Sequence, residues 1–345
     1  MPGTCVQRPT AQKKRLAILS IAITLSLVGA APAAFAAPSL SLPIACKLGI
    51  SCYVQNYVDD DPTGIGGDYL CGNQTYEGHK GTDIRLLSIA VMRKGVKVLA
   101  AAAGEVKGVR DGVTDISIRD RDASRISGKE CGNGVLIELN GNWMTQYCHM
   151  KKGSLRVKAG DKVRAGTVLG EVGLSGMTEF PHLHFEVRHG KAIIDPFTAE
   201  EAPNARNCKP PKASLWNGKA RNALAYRPVS LLAAGFTEDA PTTRSIEIDE
   251  PSRPSSVSPA LMAWVRLIGV RAGDIQTLTV IDPLNETFAE NGPVTLEKSK
   301  AQWLAVAGRK RTVPSWPLGK YKAHFTLKRK GKLLIDREFS FSLVR

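Results

Sequence analysis

Four of the six histidines and one aspartate fall into patterns that suit metal chemistry: His79-x-x-x-Asp83, a single His149, and His182-x-His184. Successive side chains of a strand point to opposite faces, so His182 and His184 share one face of Phe180–Val187 while Leu183 and Phe185 share the other. One face can then bind a metal while the other packs into a core. Zinc in a hydrolase takes three protein ligands, nitrogen and carboxylate among them, and keeps a position for water. Two imidazoles and one carboxylate leave a divalent ion one positive charge. That is enough to acidify a bound water toward a pKa of about 7 and to polarise a carbonyl. Histidines left over can move protons and stabilise an oxyanion. Strand geometry alone leaves open which of His182 and His184 would be the ligand.

The elements that must position these residues read as β-structure. Gly78 and Gly81 around His79 predict a loop running into a strand rather than a helix carrying His79 and Asp83 on one face. From Gly95 onward, apolar runs cut by glycine at short intervals predict hairpin strands at Val96–Ala100 and Gly104–Val109. Residues 111–129 are charged and Ser-containing, and predict a surface excursion that can wall a cleft. Asn140-Gly141-Asn142 between two apolar runs is a hairpin signal that puts His149 near the end of the returning strand. Short strands are expected at Val157–Val163 and Val168–Gly173, leading into the strand of His182 and His184. A turn at Arg188–Lys191 follows, and Pro196 closes the unit.

On either side of this unit the chain changes character. Residues 37–69 form an extended lead with a stapled turn, Cys46 to Cys52. Residues 201–255 read as a linker, with a helix expected at Lys219–Ala234 and a Pro/Ser-rich stretch, Asp249–Ser256, at its end. From 256 to 345, alternating runs at Leu261–Val270, Gln276–Ile281, Trp303–Ala307, Tyr321–Leu327 and Leu333–Leu343 predict a small immunoglobulin-like β-sandwich. His324 there has no chemistry assigned.

The 345 residues suffice for two cores, and a 43% hydrophobic, 23% charged composition excludes wholesale disorder. Lys13-Lys14-Arg15, an apolar run and Ala34-Phe35-Ala36 have the form of a signal peptide cleaved after residue 36. No later segment is long enough to span a bilayer. Cleavage removes four cations and no acid, taking the formal charge from +15 to +11, so the exported chain stays basic and is drawn to anionic surfaces. Six cysteines remain, an even number that fits disulfides in an oxidising compartment. Cys131 and Cys148 flank the hairpin, Cys46 and Cys52 can close a short loop, and Cys71 and Cys208 are left over. No Cys-x-x-Cys spacing supports a zinc–cysteine site.

Taken in order, His79-x-x-x-Asp83, Tyr147-Cys148-His149 and His182-Leu183-His184-Phe185-Glu186-Val187 resemble the LytM and lysostaphin type of zinc metallopeptidase, with supporting matches at 98–106, 170–176 and Asp195-Pro196. The resemblance covers roughly residues 70–200. It implies an antiparallel β catalytic domain holding one zinc ion through His79, Asp83 and His184, with His149 and His182 as a catalytic pair. One of that pair would be the general base, and the resemblance does not say which. It further implies cleavage of peptide bonds in peptidoglycan, the partner expected here, with no nucleic acid. Disulfides and the lack of a polyglycine-specific signal favour a periplasmic enzyme acting on direct stem-peptide cross-links. A non-catalytic relative that activates an amidase would lack motif residues, whereas all five are present. A metallopeptidase acting on proteins shares the same motifs. Cys148 stands where the family has a small residue, which implies a disulfide bracing that strand.

Overall fold

The structure is a computed structural model that describes residues 1–10, 36–203, 208, 210–248 and 251–344. Met1–Ala34 and Phe35–Arg345 are separate compact units. Residues 1–10 are exposed and irregular, and the apolar run expected to be a signal segment lies outside the described residues. Among the described residues no helix is long and apolar enough to cross a membrane.

Residues 36–203 carry β1 (Cys52–Asn56), β2 (Thr82–Leu86), α1 (Ile89–Lys94), β3 (Lys97–Leu99), β4 (Gly104–Arg110), β5 (Asn133–Glu138), β6 (Trp143–Met150), β7 (Lys162–Val163), β8 (Val168–Glu171), β9 (His182–His189), β10 (Ala192–Asp195) and β11 (Glu200–Ala202). The main sheet runs β1-β2-β9-β6-β5-β4-β7, with β10 and β11 continuing from β9, and all its pairings are antiparallel. Strand β3 does not form the expected hairpin with β4. It pairs with β8 in a separate two-stranded sheet, because the small residues Ala100-Ala101-Ala102 between β3 and β4 are buried in the core and carry the chain across it.

The lead is part of this fold rather than an appendage. Strand β1 extends the main sheet, and Leu40 and Ile44 are buried in the same core as Leu183, Phe185 and Tyr147. The phenol of Tyr147 accepts from the Ala101 amide at 2.8 Å, which ties β6 to the segment after β3. Three disulfides close as expected: Cys46–Cys52, Cys71–Cys208 and Cys131–Cys148.

Beyond lie α2 (Gly218–Ala223), β12 (Ser230–Thr237), α3 (Thr243–Ile248), β13 (Ala260–Val270), β14 (Ile275–Ile281), β15 (Thr287–Thr295), β16 (Lys300–Lys310), β17 (Gly319–Arg329) and β18 (Lys332–Leu343). The helix expected at 219–234 therefore stops at Ala223, and its second half is strand β12, paired along its length with β13. Leu231-Leu232-Ala233-Ala234 are good helix formers, but an open sheet edge and a half-buried surface override local propensity. The C-terminal sheets accordingly begin at Ser230, upstream of the linker end expected at 255. Sheet β12-β13-β16 packs on sheet β15-β14-β17-β18 around Leu261, Val265, Leu278, Val280, Phe325 and Leu327. First, second and fifth strands against fourth, third, sixth and seventh is an immunoglobulin-like division. The Tyr321 hydroxyl donates back to the Pro317 carbonyl at 3.1 Å, as the tyrosine corner of such sandwiches does.

Candidate metal centre

Register sets the site. In the β2–β9 pairing Asp83 lies opposite His184 and Arg85 opposite His182, and in β6–β9 Cys148 lies opposite His184. Directly opposed residues share a face, so Asp83, His182 and His184 converge on one side of the sheet, while Ile84, Leu183 and Phe185, each fully buried, fill the core on the other. His79 comes from the loop before β2, as its glycines suggested. Gly81 is needed there, because a Cβ would lie 2.7 Å from the His184 ring and from the Phe185 carbonyl oxygen.

His79 Nδ1 lies 2.6 Å from the Tyr57 carbonyl oxygen, so that nitrogen carries the proton and Nε2 presents a lone pair. That lone pair faces Asp83 Oδ2 at 3.1 Å and His184 Nδ1 at 3.3 Å, while His184 Nδ1 lies 2.8 Å from Asp83 Oδ1. Two buried acceptors turned toward each other call for a proton or a cation between them. Tetrahedral coordination with bonds of about 2.0–2.1 Å spaces ligand atoms roughly 3.3 Å apart, close to the spacings found here. The donor set thus fits a small divalent cation, and His79, Asp83 and His184 are a group able to hold one. His149, His182 and His184 are a second such group. Only the first includes an anionic ligand.

His149 and His182 stand beside this triplet, with ring centroids 4.6 Å apart. Each Nδ1 is tied to a backbone carbonyl: His149 to Ser175 at 2.8 Å, and His182 to Phe180 at 3.0 Å with the Thr178 hydroxyl also 3.0 Å away. Both rings therefore turn an unprotonated Nε2 away from their anchors. His182 Nε2 is 3.4 Å from Asp83 Oδ1. His149 has φ +60°, a region non-glycine residues enter at a cost and mostly at functional positions. It is held there by its amide, which donates to the Cys131 carbonyl, by its own carbonyl, which accepts from Gly173, and by the Cys131–Cys148 disulfide.

Burial alone would raise the Asp83 pKa, but the surrounding imidazoles of His79, His182 and His184 outweigh it and hold the carboxyl well below its usual range. Burial, reinforced by His182 and His184, pushes His149 well below the ordinary imidazole value, so it is neutral and able to accept a proton. For His184 burial acts downward, yet the carboxylates of Asp83 and Glu186 prevail and bring it up to about 9.

Two supporting residues went unrecognised in the sequence. Asn56 of β1 donates through Nδ2 to Asp83 Oδ2 at 2.9 Å, so the lead orients one carboxylate and, through the Tyr57 carbonyl, one imidazole. Nothing in the spacing of Asn56, 27 residues upstream of Asp83, signals this. Glu186 is buried with Oε2 3.8 Å from His184 Nε2 and is paired with Arg188. The alternation His182, His184, Glu186 places it on the site face and could have revealed it.

Two clefts meet over the triplet. One of about 240 Å³ includes His79, His184 and Glu186, the other of about 690 Å³ includes Asp83 and His182, and both share Tyr76, His149 and Met177. The excursion at 111–129 contributes Ile118 and Arg119 to the larger one, the wall its composition suggested.

The sequence profile of peptidase family M23 matches residues 77–196. The chain is 40% identical over 67 residues to an uncharacterized metalloprotease of Buchnera aphidicola, a match covering 19% of this chain and 17% of that protein. It is 31% identical over 105 residues to the peptidoglycan DD-endopeptidase ShyC of Vibrio cholerae, covering 30% of this chain and 24% of that one. These matches thus span no more than about a quarter of either relative's length. Among solved structures, the catalytic domain of the prophage-encoded M23 protein EnpA from Enterococcus faecalis aligns over 45% of this chain and 87% of its own, at 26% identity and a TM-score of 0.28. Motif order and family profile coincide on one segment: residues 77–196 carry the match to peptidase family M23, in keeping with the LytM/lysostaphin resemblance of the motifs.

Proposed function

We propose that the chain is an exported zinc endopeptidase that hydrolyses peptide cross-links of bacterial peptidoglycan, with His79, Asp83 and His184 as metal ligands and His149 and His182 as the proton-handling pair. The observation that carries this reading is the juxtaposition of a complete two-imidazole, one-carboxylate ligand set with two further imidazoles whose Nδ1 atoms are both spoken for. The name of the ShyC relative points to the substrate. The signal-like N-terminus and three disulfides support export to a periplasm.

When bound, zinc supplies Lewis acidity, polarising the scissile carbonyl and lowering the pKa of water at neutral pH. The chain's residues do the rest. Asp83 compensates part of the cation's charge, and Asn56 and Tyr57 fix the orientation of Asp83 and His79. His149, whose burial keeps it neutral, and His182, each with Nδ1 anchored to a backbone carbonyl, take the proton of the attacking water and return it to the departing amine nitrogen. The imidazolium formed in between stabilises negative charge on the former carbonyl oxygen.

Digestion of purified sacculi by the metal-loaded protein, with soluble products identified by mass, tests this. Release of glycan strands bearing uncrosslinked stem peptides is expected, abolished by chelator and by His184→Ala. Undiminished activity in chelator would sink the zinc mechanism. An inert metal-loaded protein would instead indicate a wall-binding regulator, and cleavage of protein but not of sacculi a different substrate.

A further inference from the structure

The larger cleft does not end at the M23 domain. From Asp83, His149 and His182 it runs past Gln74 to Gly269, Lys300 and Gln302 of the C-terminal sandwich. Gln74 sits at its floor, 2% exposed, its backbone held by the Tyr57 amide and the Asp68 carboxylate. Its carboxamide rests against Gly269, where a Cβ would lie 3.4 Å from the amide carbon. Both the Oε1 and Nε2 atoms of Gln74 are buried without a partner. Buried polar atoms left unmatched are uncommon, and a free carboxamide, with one acceptor edge and one donor edge, matches the N–H and C=O of a single peptide unit. Charge along this arm is uneven. Arg119 and Glu179 neutralise each other at 2.5 Å and Asp83 belongs to the metal centre. Lys300, at the start of β16, has no ion-pair partner among the described residues. The one uncompensated group there is a cation.

We infer that this arm is a peptide-binding subsite in which Gln74 pairs with a backbone amide of the substrate and Lys300, supplied by the C-terminal sandwich, pairs with a substrate carboxylate. The inference rests on the endopeptidase reading above and extends it, making the sandwich a wall of the catalytic cleft and a determinant of specificity. Neither residue touches the ligand set, so binding rather than the chemical step should carry their effects.

The test uses the full metal-loaded protein and two synthetic cross-linked stem peptides, one with free carboxylates and one with them amidated. Lys300→Ala should raise KM for the free acid about tenfold, the scale of a lost hydrogen bond to a charged group, and leave the amidated peptide unchanged. Lys300→Arg should restore the preference. Gln74→Leu should raise KM for both peptides with kcat nearly constant. Equal effects of Lys300→Ala on the two peptides, or a Gln74→Leu enzyme with wild-type KM, would overturn the subsite. Should the wild type hydrolyse neither peptide, the endopeptidase reading fails. The subsite is then decided by calorimetric binding of the same pair, where loss of acid-over-amide preference in Lys300→Ala supports it and unchanged affinity in both variants refutes it.

Discussion

His149 is where local strain and chemistry coincide. Its φ of +60° is maintained by hydrogen bonds on both sides of the residue and by anchoring of its Nδ1. Because it lies outside the carboxylate-bearing ligand group, His149→Ala should keep the metal while turnover falls by about 10²- to 10⁴-fold, the usual cost of losing a general acid–base group. Metal content by atomic absorption beside turnover checks this, and loss of metal would move His149 into the ligand set. Gly81 is constrained differently, by space rather than conformation. A methyl group there meets the His184 ring at 2.7 Å and the Phe185 carbonyl oxygen at the same distance, so Gly81→Ala should displace the imidazole. Metal affinity is expected to drop at least tenfold with circular dichroism unchanged. A Gly81→Ala protein that binds metal as tightly as wild type would show that the ring has room to retreat.

At the scale of elements, the site depends on β2, β9 and β6 lying side by side in one register. A slip of one residue in β9 would turn His182 and His184 into the core and Leu183 and Phe185 toward the metal. Cys131–Cys148 pins the end of β6 at this point, since Cys148 is opposite His184 and adjoins His149. The bond closes a loop of 17 residues, and loops of that size gain about 3 kcal/mol from cross-linking. Replacing both cysteines by serine should lower unfolding free energy by a comparable amount, measured by denaturant titration, and should reduce turnover more than metal occupancy because His149 is the nearer residue. Equal loss of both would mean that the disulfide braces the whole sheet. The hairpin β5–β6 and the strand β9 were legible in the sequence because a two-residue period and an Asn-Gly turn are local signals. The fate of Leu231–Ala234 was not, because a helix-forming stretch becomes a strand when a neighbour thirty-odd positions away in effect supplies its hydrogen bonds, as Ser230 opposite Ile268 illustrates.

Over the whole molecule, the M23 domain and the sandwich are joined by buried charge. Glu247 of α3 accepts from Arg85 of β2 at 2.7 Å and from Arg266 of β13, and Arg266 also reaches the Leu87 carbonyl at 3.2 Å and Gln302 at 2.7 Å. Both guanidinium groups are fully buried, and Arg85 also lies 4.4 Å from the centre of the Phe180 ring, two residues from His182. Burial, with Arg266 adding to it and Glu247 opposing it, lowers the Arg85 pKa to about 10. Tyr53, Leu232 and Ile268 pack into a small apolar cluster along the same contact. Glu247→Gln would leave two buried cations without their anion, a change that typically costs about 3–5 kcal/mol. Denaturant unfolding should show a loss of that order, with metal stoichiometry unchanged. A loss below about 1 kcal/mol would mean that the apolar cluster rather than the charge joins the two parts.

The sequence by itself determined the candidate set and its order, because alternation along one strand, a glycine-marked loop and a hairpin turn are encoded within a few residues of His182, His184, Asp83 and His149. The same local character made the Cys46–Cys52 and Cys131–Cys148 pairings and most sandwich strands readable, while Cys71–Cys208 followed only as the remainder. Only the tertiary structure decided what surrounds that set: Asn56 and Tyr57 of the lead behind the candidate ligands, Glu247 between two arginines, and Gln74 and Lys300 lining one cleft. These contacts join residues far apart in the chain through strand pairing and sheet packing. No spacing rule spans such distances, so the chemistry was written locally and its setting only in three dimensions.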